Sequence, residues 1–186
     1  MTDFDFTPMT DAAWPVEVTD LRDGFAGALN VYRVMAHHPA LLRAWAPLRE
    51  HIVNQTTLGP QLSEVAILRT GHRLGSSYEW QQHIDRARRR GLSDARIASI
   101  AGPCEDMALQ DALIARAVDE LMTDHRLSQA SIDGIARDLG KLAVLDLIAT
   151  VGFYSVLGYE LNSFDVPLDD DIAEVLRQTP LNPGGH

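Results

Sequence analysis

The sequence predicts an all-α fold, built as a single-domain helical bundle. Apolar residues recur at three- and four-residue steps through most of the chain, and serine, glycine and proline punctuate those runs at helix-length intervals. No stretch alternates apolar and polar residues with turn dipeptides at its ends, as strands would require. The 186 residues suit one compact domain, and an apolar fraction of 46% fills a core without disulfides. Three segments are expected: an irregular arm over 1–20, a helical domain over 21–165 and a tail over 166–186.

Pro8 and Pro15 keep the arm irregular, while Phe4, Phe6 and Trp14 offer anchors for packing it onto the body or a neighbouring subunit. Helical spacing begins at Phe25 with Ala28, Val31 and Met35. Pro39 opens a second helix carrying Leu41, Leu42, Trp45 and Leu48. After a connection from Asn54 to Pro60, Ser63 is read as the cap of a helix bearing Val65, Ala66, Ile67 and Leu68, which loosens at Gly71 and stops at Gly75. Ser76 or Ser77 caps the next helix, and Gly91 ends it. A short helix follows Leu92-Ser93-Asp94 and ends near Gly102-Pro103. A long amphipathic one spans Met107 to Met122, and another begins at Ser128 or Ser131. Gly140 to Leu161 is the most apolar segment. Leu92 to Ala101 echoes Leu127 to Ala136, and the apolar spacing around Gly75 resembles that around Gly152, which would fit a structural duplication. Thr179 to His186 is expected to be loose.

The formal net charge of −10 excludes the basic face that nucleic acid requires. The basic run Arg86, Arg88, Arg89, Arg90 closes a helix, where positive charge suits the dipole. No signal peptide is read at the N-terminus, and no segment is read as reaching the ~18 continuous apolar residues of a membrane span. The lone Cys104 forbids an intrachain disulfide and suits a reducing compartment. A soluble, cytoplasmic protein is expected, without nucleic-acid or membrane partners.

Chemistry concentrates between Glu64 and His83. At 100° per residue Ser76, Glu79, Trp80, His83 and Ala87 share one helix face. Glu79 and His83, four residues apart, can touch, giving either a proton-transfer pair tuned by burial or an ordinary surface pair. Glu64 suits a first-turn carboxylate complementing the dipole, with His72 further along roughly the same face. Trp45 and Trp80 are core candidates or ligand platforms, and Tyr78 points away from Glu79. His37, His38, His51, His72 and His83 form no His-x-x-x-His pair on one helix. No Glu-x-x-His motif is duplicated, so no metal is expected.

Glu64, Ser76, Glu79 and His83, set within Gly75-Ser76-Ser77-Tyr78-Glu79-Trp80 and followed by Ala87 and Gly91-Leu92-Ser93, resemble the carboxymuconolactone decarboxylase family of the alkylhydroperoxidase D-like superfamily. The resemblance covers roughly residues 35–165. It implies a core helical hairpin carrying the motif, a homo-oligomer (trimer or hexamer) and sites near subunit interfaces. It assigns catalysis to Glu64, Glu79 and His83, with Ser76, Tyr78 and Trp80 around a small-molecule substrate and no cofactor. In the peroxidase branch the positions of Ser76 and Glu79 are both cysteines. A hydroxyl and a carboxylate cannot perform that redox step, which places this chain with the cysteine-free branch. The implied activity is a decarboxylase-like lyase using Glu/His acid–base chemistry on a small carboxylated lactone or related carbonyl compound. A non-catalytic, ligand-binding oligomeric scaffold is the alternative. Arg43, Arg69 and Arg73 are candidates for holding an anionic substrate.

Overall fold

A computed structural model describes residues 5–182, so Phe4 and the last four residues of the tail lie outside the described residues. The described chain is helical, with no strand among those residues. Its main helices are α1 (Asn30–Met35), α2 (Pro39–Glu50), α3 (Gly59–Arg73), α4 (Ser77–Arg89), α5 (Asp94–Ser99), α6 (Leu109–Thr123), α7 (Gln129–Leu139), α8 (Lys141–Ser163) and α9 (Asp170–Gln178).

α3 and α8 run through the centre and divide the core in two. On one side Ile67 from α3 and Phe153, Leu157 and Leu161 from α8 pack with Trp14, Val31, Tyr32 and Tyr78. On the other, Val65 and Leu68 from α3 and Leu147 and Val151 from α8 pack with Ile97, Ile114 and Ile135. Each such side chain contributes about 1.5–3 kcal/mol when fully buried.

α3 starts earlier than its Ser63 suggests. Gly59 takes φ +76° and Pro60 follows in the first turn, the usual place for a proline whose missing N–H costs nothing there. Ser63 therefore lies inside the helix, its hydroxyl donating to the Gly59 carbonyl (2.8 Å). Glu64 consequently sits beyond the first turn and is fully buried. Gly71 does not end the helix. A Cβ there would meet Glu79 Cβ at 3.1 Å, so its glycine lets α4 approach α3 closely. The stop is at Gly75 (φ +63°), where Ser76 N–H donates to Gly71 O (2.9 Å) and Gly75 N–H to His72 O (3.1 Å), a Schellman closure.

Ser76, Ser93 and Ser128 each cap the helix that follows, so the two echoing segments begin alike. The second hairpin is absent around Gly152, which lies inside the 23-residue α8; that chain reversal is at Gly140 (φ +92°). α8 is long and apolar enough to cross a membrane by length and composition, with mean hydropathy 1.7, although its apolar run is interrupted. Half of that window is buried in the fold, and Asp146 within it accepts hydrogen bonds from Thr57 and contacts His51. A helix apolar all round is how a central core helix looks in sequence.

Both flanking segments fold back onto the body. Trp14 donates to Val18 O (2.9 Å), Phe6 stacks on Phe164, and Arg33 ties Met9 O, Gly27 O and Asp11 together. Within 166–186 an acidic start at Asp169–Asp171 and the apolar Ile172, Val175 and Leu176 form α9, which packs against α4. Beyond it, the Thr179 and Pro180 carbonyls accept hydrogen bonds from Arg88.

Candidate active site

The motif residues converge where α4 crosses α3. α4 offers Glu79, Gln82, His83 and Arg86 at i, i+3, i+4 and i+7, a single face that turns toward α3, α1 and α8. Glu64, Glu79 and His83 are all buried.

His83 Nδ1 meets Glu64 Oε2 at 2.6 Å. Its other nitrogen, Nε2, faces Glu79 Oε2 at 3.5 Å. The tight partner is thus the residue on the other helix, and the i, i+4 neighbour is the looser one. An acceptor at Nδ1 fixes the tautomer of a neutral ring with the proton on Nδ1 and the lone pair on Nε2. The ring is further held edge-on to Tyr154 (centroids 5.1 Å).

The two carboxyls are driven apart. Burial raises the Glu64 carboxyl, but His83, the bond it makes, Arg90 and Arg86 together pull it below the usual range; Arg90 stands 3.2 Å from Glu64 Oε1. For Glu79 burial dominates, Arg86 opposes it only partly and the Glu64 charge adds to it, so the carboxyl is pushed up to about 8. Burial likewise lowers His83 below its ordinary value, against the pull of Glu64. At neutral pH this leaves an ionised Glu64, a neutral imidazole and a protonated Glu79. Two acids with separated proton affinities around one base form a proton-relay arrangement.

Glu79 owes its inward position to local geometry. Ser76 and Glu79 have the spacing of a capping box, in which the carboxylate would reach back to the cap's own N–H. That N–H is already donated to Gly71 O, so the Glu79 side chain is left for the interior.

The remaining expected site residues separate. Ser76 and Trp80 line an open groove of about 300 Å³ with Gly71, Gly75 and Ala101. Tyr78, Glu79 and His83 instead border a small cavity of about 20 Å³, completed by Val31 and Tyr32 from α1 and Tyr154 from α8. That is room for roughly one water. Tyr78 also donates its hydroxyl to the buried Asp169, and on its outer side it borders a polar cleft of about 460 Å³ with Asn162 and Asp165. His72 is exposed and does not share the buried face of Glu64, because eight residues turn a helix by more than two full turns. Among the described residues, no group of three or more His, Cys, Asp or Glu is arranged to hold a metal.

The expected cations are elsewhere. Arg69 is consumed by Asp119 and the Ile100 and Gly102 carbonyls, Arg73 faces Asp119 and Thr123, and Arg43 pairs with Asp20. The positive charge at the site comes from the run read as a solvated helix end: Arg90 on Glu64, and Arg86 in the cavity wall. The i+3 step from His83 to Arg86 was the available signal.

The family model of the carboxymuconolactone decarboxylase family matches residues 39–121. No curated protein matches this chain. Among solved structures, a single-residue variant of the debrominase Bmp8 in complex with 2,3,4-tribromopyrrole aligns with a TM-score of 0.70 at 15% identity, covering 93% of this chain and 96% of that one. The apo debrominase Bmp8 aligns with a TM-score of 0.71 at 15% identity, covering 96% and 99%. These likenesses establish a shared fold, and the motif segment lies within the matched residues. Over residues 39–121, the segment that carries Glu64, Glu79 and His83, the chain is similar to the carboxymuconolactone decarboxylase family.

Proposed function

We propose that the protein is a cofactor-independent acid–base enzyme of decarboxylase type, acting on a small carboxylated lactone or related carbonyl compound. The observation that supports it is the buried His83 between an ionised and a protonated carboxyl. Loss of carboxylate breaks a C–C bond, and the electron pair flows into a conjugated carbonyl to give an enolate while CO2 departs. The carbon left behind then takes up a proton. Protonated Glu79 is the proton donor in this scheme, His83 Nε2 returns a proton to it from solvent, and Glu64 holds the ring and the charge that forms on it. One proton is consumed per turnover, which balances the reaction. Peroxidase chemistry of the two-cysteine kind is disfavoured by Ser76 and Glu79 at those positions.

The test follows CO2 release and ultraviolet absorbance over a panel of carboxylated lactones and β-keto acids. Turnover lost in His83→Ala and kept in Cys104→Ser is the expected result. Silence across the panel from folded proteins would favour the ligand-binding scaffold.

A homo-oligomer is part of the same proposal. Leu142, Leu145, Ile148, Val156 and Tyr159 form an exposed apolar line along α8, the kind of surface that self-association covers. Light scattering on Leu145→Asp is the check: an unchanged mass would remove α8 from the interface.

A further inference from the structure

Of the arginines that end α4, three are neutralised. Arg88 pairs with Asp94, Arg89 with Asp85 and Arg90 with Glu64. Arg86 differs: among the described residues its side chain makes no ion pair and no hydrogen bond, although it is half-buried and borders the small cavity beside Glu79 and His83. Gln82 lines the same cavity, is only 6% exposed, and its Oε1 has no partner. A half-buried guanidinium without an ion pair and a buried amide oxygen without a partner line one void, and the amide oxygen is costly unless something satisfies it.

We propose that Arg86 and Gln82, with the ring of Tyr32, form an anion subsite that holds a carboxylate of the substrate against the Glu79–His83 pair. The guanidinium fork matches a carboxylate's two oxygens. With its terminal amide turned over, Gln82 presents Nε2–H as a donor to the bound carboxylate. Tyr32 completes the wall from outside the family-matched residues, and Arg49, whose guanidinium lies 5.8 Å from the Tyr32 ring, adds positive charge behind it. Of the nearby acids, Glu64 acts on Arg86 but has Arg90 in direct contact, and Glu79 is pushed by burial toward its protonated form. The inference rests on the acid–base reading for its place in catalysis, and the subsite supplies the cation that reading needs for an anionic substrate.

The cavity's size selects the probe. As it stands the cavity has room for about one water, so a carboxylate enters only as the side chains around it give way; formate, the smallest carboxylate, asks least of them, and formamide is its neutral counterpart of nearly the same shape. Calorimetric titration of the full chain with sodium formate, at constant ionic strength and near pH 7, is expected to show saturable binding that formamide lacks. Arg86→Gln should weaken formate at least tenfold, with Arg86→Lys intermediate because a point charge replaces a fork. Wild type that binds formate no better than formamide would overturn the subsite, as would Arg86→Gln binding it as wild type does. If Arg86→Gln does not fold, Arg86→Lys carries the test, and unchanged affinity in that variant overturns the fork geometry. Binding needs no turnover. Formate bound through Arg86 by a chain inactive across the substrate panel would therefore sink the catalytic reading and keep the subsite, whereas His83-dependent turnover without formate binding would do the reverse.

Discussion

Two carboxylate–imidazole pairs sit in this fold at nearly the same distance, and they do different things. Asp146 and His51 meet at 2.8 Å, Glu64 and His83 at 2.6 Å. Asp146 is saturated: besides His51 it accepts from Thr57 N–H (2.6 Å) and Thr57 Oγ1 (2.7 Å), pinning the approach to α3 onto α8. Its histidine is partly exposed, with a side chain 44% accessible. The buried pair keeps a valence in hand, because His83 Nε2 has only a long contact to Glu79 and a cavity beyond. Pairing alone does not separate the two histidines; the role proposed for His83 rests on its unspent nitrogen beside a second titratable group.

The largest effect that can break this contrast is on turnover. His83→Ala should lower the rate by at least about 100-fold, the low end of what a positioned acid–base group contributes. His51→Ala should leave it within about twofold. Equal losses in the panel assay would mean that both pairs act through stability alone.

The next effect is on folding. Asp146→Ala removes the acceptor for a backbone N–H and a hydroxyl in a part-buried setting, and should cost about 2–3 kcal/mol in urea unfolding. A cost below about half a kcal/mol would show the pin to be replaceable by water.

The pH behaviour separates the pairs further. A buried carboxyl raised to about 8 gives stability that is fully present below its unfolded value and is lost as pH rises through about 8. Glu160 on α8, raised by burial to about 7, adds a loss in the same direction. Glu79→Gln should therefore flatten the decline between about pH 5 and 8 without abolishing it. The same variant should remove turnover, and the wild-type rate should fall above about pH 8 as the proton donor ionises. An unchanged stability profile in the variant would contradict the buried protonated acid.

Caps give the smallest test. Ser76→Ala should cost about 1 kcal/mol as a lost N-cap, whereas Ser63→Ala inside α3 should cost little. The opposite order would restore Ser63 as the helix start.

Much of this was legible in the sequence. Three- and four-residue apolar steps gave the helices, and Gly75, Gly91 and the serine caps gave their ends, because those signals are local. The convergence of Glu64, Glu79 and His83 followed from the motif. What stayed hidden was relational. That Glu64 takes Nδ1 and leaves Glu79 the other nitrogen depends on how closely α3 and α4 approach at Gly71. That Arg86 faces inward while Arg88, Arg89 and Arg90 find partners depends on α1 and α8 covering one side of α4. The early start of α3 was written in Gly59-Pro60, and α9 in an acidic triplet before Ile172. Both were masked by stronger signals nearby.

Asp169 carries one more consequence. Its two oxygens take the Asn30 N–H (2.7 Å) and the Tyr78 hydroxyl, joining a segment before the family-matched residues and one after them to the helix that bears the acid and the base. Inheritance of the motif and upkeep of its environment thus belong to different stretches of chain. Substitutions outside residues 39–121 can change that environment with the motif untouched, since the burial that raises Glu79 is shared by Val31, Tyr32 and Tyr154. Mutational drift in the flanks is then a route to new proton affinities with the motif itself unchanged.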